Sequence, residues 1–205
     1  MLVGLAANPK PGDTVIDVCA APGGKSIHVA DLLLGTGHVE ARDLTDYKVG
    51  LIEENITRCG FTNMSAKRAD ALMFDETAKE SADLVIADLP CSGLGVLKKK
   101  SDIKYRMSQQ QIEELAQLQR RILKNAAAYV KPGGTLIYST CTITKEENDM
   151  QVDWILENLP LQLVSLEGCM CEELLKNHER EGVLQLLPGR EKTDGFFLAK
   201  FQKIK

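Results

Sequence analysis

The sequence predicts an α/β domain with a mostly parallel, doubly wound sheet. Short apolar runs alternate with stretches of helical periodicity along the chain, the pattern that right-handed β-α-β crossovers produce. Several of the runs are apolar throughout, as expected of strands covered on both faces. With 205 residues, 44% of them hydrophobic, the chain buries one good core and nothing in it demands a second. A single domain over 1–205 is expected.

The first strand is read over Thr14 to Val18 and runs into the small-residue turn Cys19 to Lys25. Further strands are read at His38 to Arg42, Met64 to Arg68, Asp83 to Ala87, Thr135 to Ser139 and Leu161 to Ser165, with a last one at Gly195 to Gln202. Helices fill the gaps. The clearest spans about Ser108 to Val130. Ser108 suits an N-cap, Ile112, Leu115, Leu118, Ile122, Ala126 and Tyr129 recur at three- and four-residue steps, and Lys131-Pro132-Gly133-Gly134 ends the pattern. A second helix is read from about Lys145 to Leu159, opened by Thr144 with Glu147 in a capping-box pattern and closed by Pro160. No internal repeat or low-complexity segment interrupts this order.

Composition excludes several classes. The start, Met1 to Pro9, has no basic leader and too short an apolar stretch for secretion, and no later run is long enough for a bilayer. A soluble, cytoplasmic protein without membrane partners is expected. Six cysteines at scattered spacings, Cys19, Cys59, Cys91, Cys141, Cys169 and Cys171, form no disulfide framework. The histidines His28, His38 and His178 are not at ligand spacing with them, so no metal is expected. Cys59, Cys169 and Cys171 read as small core residues. The net charge of −4 argues mildly against a polyanion partner, but Lys98, Lys99, Lys100, Lys104 and Arg106 face a single Asp102 directly after Cys91. That run predicts a positive patch beside a site.

Two thiols define the site. Cys91 in Asp88-Leu89-Pro90-Cys91-Ser92-Gly93 and Cys141 in Ser139-Thr140-Cys141-Thr142 each follow a buried strand, at the sheet edge where open α/β folds bind ligands. The flanking Pro, Ser, Gly and Thr mark both as exposed turns. The loop Cys19-Ala20-Ala21-Pro22-Gly23-Gly24-Lys25 fails as a Walker A, which needs glycine where Cys19 stands, and fails as G-x-G-x-x-G. Its small residues instead suit a turn where backbone approaches a ligand at a helix start. Asp43, twenty residues beyond Gly23, is positioned to accept ribose hydroxyls, and Asp70 after the third strand to meet an adenine amine. Together they outline an adenosine site.

These stretches, with Asp194-Gly195-Phe196-Phe197, closely resemble the motifs of the Sun/RsmB-type RNA cytosine-5 methyltransferases across essentially the whole chain. The resemblance implies a Rossmann-like class I fold with an antiparallel last strand. It implies S-adenosylmethionine as cofactor, held by Cys19, Ala20, Ala21, Pro22, Gly23, Gly24 and Lys25 and by Asp43, Asp70 and Asp88. Within the family the chain is most similar to bacterial enzymes acting on a cytosine of 16S ribosomal RNA, which makes that RNA the expected partner. Leu89 and Ser101 stand where relatives often have alanine and proline. The family's amino-terminal RNA-binding region is not in these 205 residues, so the chain is read as a catalytic domain cut from a longer protein, or as a shortened relative.

The chemistry explains the residue types. Cytosine carbon 5 is too weak a nucleophile to attack a methyl sulfonium unaided, so a thiolate adds to carbon 6 and makes the ring enamine-like. Asp88 is placed to bond the ring nitrogen and exocyclic amine, which stabilises the adduct if its carboxyl group is protonated or shares a proton, and the resemblance assigns attack to Cys141 and product release to Cys91. The role of Lys25, toward cofactor or toward base, stays open. Such enzymes take single-stranded or flipped-out cytosines, and Tyr105 and Tyr138 are the stacking candidates. Other readings are a methyltransferase acting on tRNA or another RNA, a DNA cytosine-5 methyltransferase with Cys91 as attacker, and a non-catalytic cofactor-binding module. The Thr140-Cys141 thiol speaks against the DNA enzyme, and two strand-end thiols speak against the module.

Overall fold

The computed structural model describes residues 1–176 and 180–204, so His178 lies outside the described residues. Along the chain the elements are α1 (Leu2–Ala7), β1 (Thr14–Asp17), α2 (Gly24–Leu32), β2 (His38–Asp43), α3 (Asp46–Cys59), β3 (Met64–Arg68), β4 (Ala82–Asp88), α4 (Ile103–Arg106), α5 (Gln109–Tyr129), β5 (Val130–Thr140), α6 (Asp149–Asn158), β6 (Leu161–Leu163), α7 (Glu172–Leu175), β7 (Val183–Leu186) and β8 (Phe196–Lys203). The sheet runs β3-β2-β1-β4-β5-β8, with β6 and β7 both on the outer edge of β8. The first five strands are parallel and β8 is antiparallel to β5. The order reverses between β1 and β4, so a crevice opens at their carboxyl ends, the topological switch point.

Alternation along the central strands divides the core. In β4, Val85 and Ala87 face a cluster with Leu123 and Ala126 of α5 and Val152 and Ile155 of α6. Leu84 and Ile86 face the opposite cluster with Val3 and Ala6 of α1, Val29 of α2 and its C-cap Leu33, and Ile52 of α3. Each fully buried Val, Leu or Ile among them contributes about 1.5–3 kcal/mol. Helix α5 starts on a complete capping box, in which Gln111 N–H donates to Ser108 Oγ and Ser108 N–H to the Gln111 side chain. No helix among the described residues is long and apolar enough to cross a membrane.

Several elements depart from the sequence-based expectation. Helix α1 was not anticipated, nor was β7, whose four residues pair only with β8. The Lys131-Pro132-Gly133-Gly134 stretch lies inside β5, at a register irregularity opposite Ala82 and Leu84. Glycine is required there, because a Cβ on Gly134 would lie 2.9 Å from Asp83 O. Helix α6 begins at Asp149, not near Lys145, because the side chains of Glu147 and Asn148 turn inward. Cys59 and Cys171 are exposed and not core residues, since one ends α3 and the other precedes α7 on the solvent side.

Candidate active site

The turns that follow β1, β4 and β5 converge on the switch-point crevice and divide it into two cavities. One, of about 350 Å³, is lined by Cys19, Ala21, Asp43, Asp70, Asp88, Cys91 and Cys141, with apolar walls from Leu72, Leu118 and Ile122. The other, of about 520 Å³, is lined by Ala20, Ala21, Pro22, Gly24 and Lys25 on one side and by Val96, Asp194 and Phe196 on the other, with Cys141 again at its wall. Ala21 and Cys141 belong to both. The small-residue loop is therefore a partition between two cavities. Gly23 lines neither; it is the N-cap of α2 at φ 101° and packs against Ile52, a conformation open to glycine.

Asp43 is 4% exposed. Its carboxylate accepts the N–H of Ala21 at 2.9 Å and of Leu44 at 2.8 Å, and pairs with Lys48 at 3.0 Å. It fixes the partition loop to the end of β2 while still facing the first cavity. Asp70 is exposed at the mouth, where it accepts from Leu72 N–H. Beneath the loop, Asp17 is fully buried and accepts from Ser26 Oγ at 2.6 Å. Burial pushes its carboxyl up to about 7. Burial likewise pushes the Cys19 thiol up to about 12, so this sulfur stays protonated.

Lys25 and Asp88 form an ion pair at 2.6 Å across the partition, with Lys25 in the second cavity and Asp88 in the first. Burial, the largest single influence, opposes the ammonium, but the attraction and hydrogen bond of Asp88 together with the fields of Asp17 and Cys141 raise the Lys25 pKa overall. Asp88 also accepts from Ser139 Oγ at 2.6 Å. The Sγ atoms of Cys91 and Cys141 lie 3.3 Å apart, and Cys141 N–H points at the Cys91 sulfur at the same distance. The contact is asymmetric. The hydrogen bond from Cys91 lowers the Cys141 thiol to about 7, whereas that same bond and then burial push Cys91 up. In this direction of the contact Cys91 S–H donates and the Cys141 sulfur accepts.

Beside Cys141 the backbone is drawn tight. Gly95 N–H donates to Cys141 O at 3.0 Å and Gly195 N–H to Gly95 O at 2.8 Å, and a Cβ on Gly95 would lie 2.6 Å from Gly195 O. This contact explains Asp194-Gly195 and brings the basic segment to the rim of the second cavity. Lys98, Lys99 and Lys100 are exposed there, and Lys99 pairs with Asp194 at 2.7 Å. Tyr105 is 81% exposed, but Tyr138 is fully buried and hydrogen-bonded to Gln119 and to Glu147 O, which removes it as a stacking partner. The sequence reading missed Glu147, Ser92 and Thr142, which are buried and linked beneath the two thiol turns. Glu147 matched a capping box, and its bond from Thr144 Oγ1 at 2.9 Å exists, but its carboxylate faces inward. Among the described residues no group of three or more His, Cys, Asp or Glu is arranged to hold a metal ion.

Comparison with known proteins places this geometry in a family. The family described as 16S rRNA methyltransferase RsmB/F matches residues 4–202. The "Probable ribosomal RNA small subunit methyltransferase B" of Bacillus subtilis is 42% identical over 206 residues, 99% of this chain and 46% of that protein. Ribosomal RNA small subunit methyltransferase F of Klebsiella pneumoniae is 34% identical over 97% of this chain and 42% of its own length. The chain thus spans less than half of these relatives. The structure of NSun6 from Pyrococcus horikoshii with SFG is similar at TM-score 0.87 and 31% identity, over 100% of this chain and 51% of that one. A SAM-dependent O-methyltransferase from Thermotoga maritima, at TM-score 0.62 and 15% identity over 99% of this chain and 63% of its own, shares the fold. The parallel sheet with its antiparallel β8 is accordingly the Rossmann-like methyltransferase fold, and the chain belongs to the RsmB/F family of 16S rRNA methyltransferases.

Proposed function

We propose that the chain transfers a methyl group from S-adenosylmethionine to carbon 5 of a cytosine in small-subunit ribosomal RNA, through a covalent adduct of the base with Cys141. The observation that carries this reading is the position of Cys141, the one thiol among the described residues that lines both cavities, with its pKa lowered by the contact with Cys91.

The first cavity fits S-adenosylmethionine on the chemistry of its own residues. Asp43 supplies a buried carboxylate for ribose hydroxyls, Asp70 an acceptor for an adenine amine, and Leu72, Leu118 and Ile122 an apolar wall for the ring. The relative crystallised with SFG, an S-adenosylmethionine analogue, supports the same assignment. When bound, the cofactor supplies an electrophilic methyl sulfonium.

The second cavity takes the target base. Cys141 thiolate adds to carbon 6, forming the carbon–sulfur bond and moving the ring electrons toward carbon 5. Lys25, whose ammonium lies in this cavity, offsets the charge this places on the ring, and Asp88, which lines the first cavity, orients it through their ion pair. After methyl transfer, water takes the carbon 5 proton, its bonding pair restores the carbon 5–carbon 6 double bond, and the carbon–sulfur bond breaks to release the Cys141 thiolate. Cys91 S–H then donates to the departing Cys141 thiolate, the contact it makes at 3.3 Å, which makes that sulfur a better leaving group.

Mass spectrometry of ribosomal RNA from cells with and without the gene tests the reading. A 5-methylcytosine present in 16S RNA only when the gene is present is the expected result. Loss of the mark from tRNA with 16S RNA unchanged would overturn the substrate, and unchanged marks in every RNA would overturn the activity.

A further inference from the structure

The buried carboxylate of Glu147 takes no part in the chemistry above, yet it accepts four hydrogen bonds. Oε1 receives Ser92 N–H at 2.9 Å and a Gln119 side-chain N–H at 3.0 Å. Oε2 receives Ser92 O–H at 2.5 Å and Thr144 O–H at 2.9 Å. Ser92 follows Cys91 directly, and its Oγ lies 2.7 Å from the hydroxyl of Thr142, which follows Cys141 directly. Ser92 has one hydroxyl proton and gives it to Glu147, so Thr142 must donate to Ser92. The result is a directed chain, Thr142 to Ser92 to Glu147, that crosses from one thiol turn to the other.

We propose that Glu147 is a positioning residue that, through Ser92 and Thr142, holds the turns bearing Cys91 and Cys141 in register so that the two sulfurs stay in contact. Gln119 extends the tie by donating to Pro90 O at 3.0 Å, immediately before Cys91. Asn148 braces the other turn, accepting from Thr140 Oγ1 at 2.7 Å and donating to Thr142 O at 3.2 Å. A carboxylate suits the post because all four partners are donors. Glutamine there puts its amide hydrogens against two N–H groups in one orientation. In the other it donates to Ser92 Oγ and reverses the chain. The groups that face Cys141 directly are Cys91 from the β4 turn, Asp88 at the end of β4 and Lys25 on α2, and Glu147 acts on it through the Cys91 contact.

This inference rests on the reading of Cys141 as the nucleophile, so its test uses a readout that needs no RNA. The rate of Cys141 alkylation by iodoacetamide is followed against pH, by mass spectrometry of the Cys141 peptide, in wild-type protein and in Glu147→Gln, Thr142→Val and Thr142→Ser. Wild type should show a midpoint of about 7. Glu147→Gln and Thr142→Val should move it up toward the ordinary thiol value of about 8.5, and Thr142→Ser, which keeps the hydroxyl, should restore the wild-type midpoint. With RNA, Glu147→Gln should lose kcat by roughly 100-fold, the scale of a misplaced reacting group, with KM for S-adenosylmethionine unchanged. Wild-type midpoints in both Glu147→Gln and Thr142→Val would overturn the proposal. Should Glu147→Gln fail to fold, Thr142→Val against Thr142→Ser decides alone. Shifted midpoints in a protein that methylates no RNA would leave Glu147 in its role and overturn the proposed function instead.

Discussion

The sulfurs of Cys91 and Cys141 touch at 3.3 Å although 50 residues separate them in the chain. Their unequal settings predict unequal mutants. Cys141→Ala should abolish methylation and also the covalent adduct with RNA carrying 5-fluorocytosine, which traps the intermediate by blocking proton loss. Cys91→Ala should retain attack, fail in release, and accumulate a protein–RNA species on ordinary cytosine RNA, visible as a shifted band on a denaturing gel. Adducts kept in Cys141→Ala and lost in Cys91→Ala would make Cys91 the nucleophile.

The same contact fixes the sign of the pH dependence. A thiolate is the attacking form, and the Cys91 hydrogen bond lowers the Cys141 thiol to about 7. Single-turnover adduct formation with 5-fluorocytosine RNA should therefore rise with pH through about 7 and level off above it. In Cys91→Ala the donor is gone, and the midpoint of adduct formation should move to higher pH. A profile unchanged by the substitution would dissociate the lowered thiol from its neighbour.

Asp43 is expected to act on cofactor affinity. Calorimetric titration with S-adenosylmethionine should show Asp43→Ala weaker by on the order of 1.5 to 3 kcal/mol, the range for hydrogen bonds to a charged group. Because Ala21 N–H also loses its acceptor, the variant should melt lower even without ligand. Clear heat with a nucleoside triphosphate and none with S-adenosylmethionine would revive the Walker-type reading.

Much of the site was legible because a parallel sheet brings its strand ends to one edge. Asp88, Cys91 and Cys141 each follow an apolar run, and runs buried on both faces are readable as strands without knowing their order, whereas Asp43 follows the mixed run His38 to Arg42 and is legible from its spacing to Gly23. Elements that depend on one neighbour were not legible. β7 is four residues interrupted by Gln185, and it is a strand only because β8 offers an open edge. Tyr138 looked available beside Cys141, but in β5 its ring points into the core under α5 and α6. Glu147 was hidden for a different reason. Its spacing from Thr144 satisfies a capping box, and only the fold decides that the carboxylate turns toward Ser92.

The basic segment is expected to bind RNA phosphates. Replacing Lys98, Lys99, Lys100 and Arg106 with glutamine should weaken RNA binding and flatten its dependence on log salt by up to about 3, the counterion release of four single-strand contacts. Filter binding across a salt series gives this slope. Lys99 is paired with Asp194 in the free protein, so Asp194→Asn should free a cation and raise affinity at low salt. An unchanged slope in the fourfold variant would remove the patch from the RNA interface.

Asp17 should make stability depend on pH in the direction opposite to most carboxylates. Its pKa is raised from 3.8 to about 7, first by burial, with the bond from Ser26 opposing. The folded state therefore holds a proton that the unfolded state has released between those values, and stability must fall as pH rises from about 4 to about 7. The contribution is full below pH 4, is lost through 7, and is on the order of 4 kcal/mol at most, at roughly 1.4 kcal/mol for each pKa unit. Asp17→Asn keeps the shape and cannot ionise. Urea unfolding at pH 5 and pH 8 should show wild type losing stability relative to Asp17→Asn at the higher pH. A difference between the two proteins that stays constant across this range would mean that Asp17 is already ionised in the fold, held by Ser26 and the Cys19 N–H.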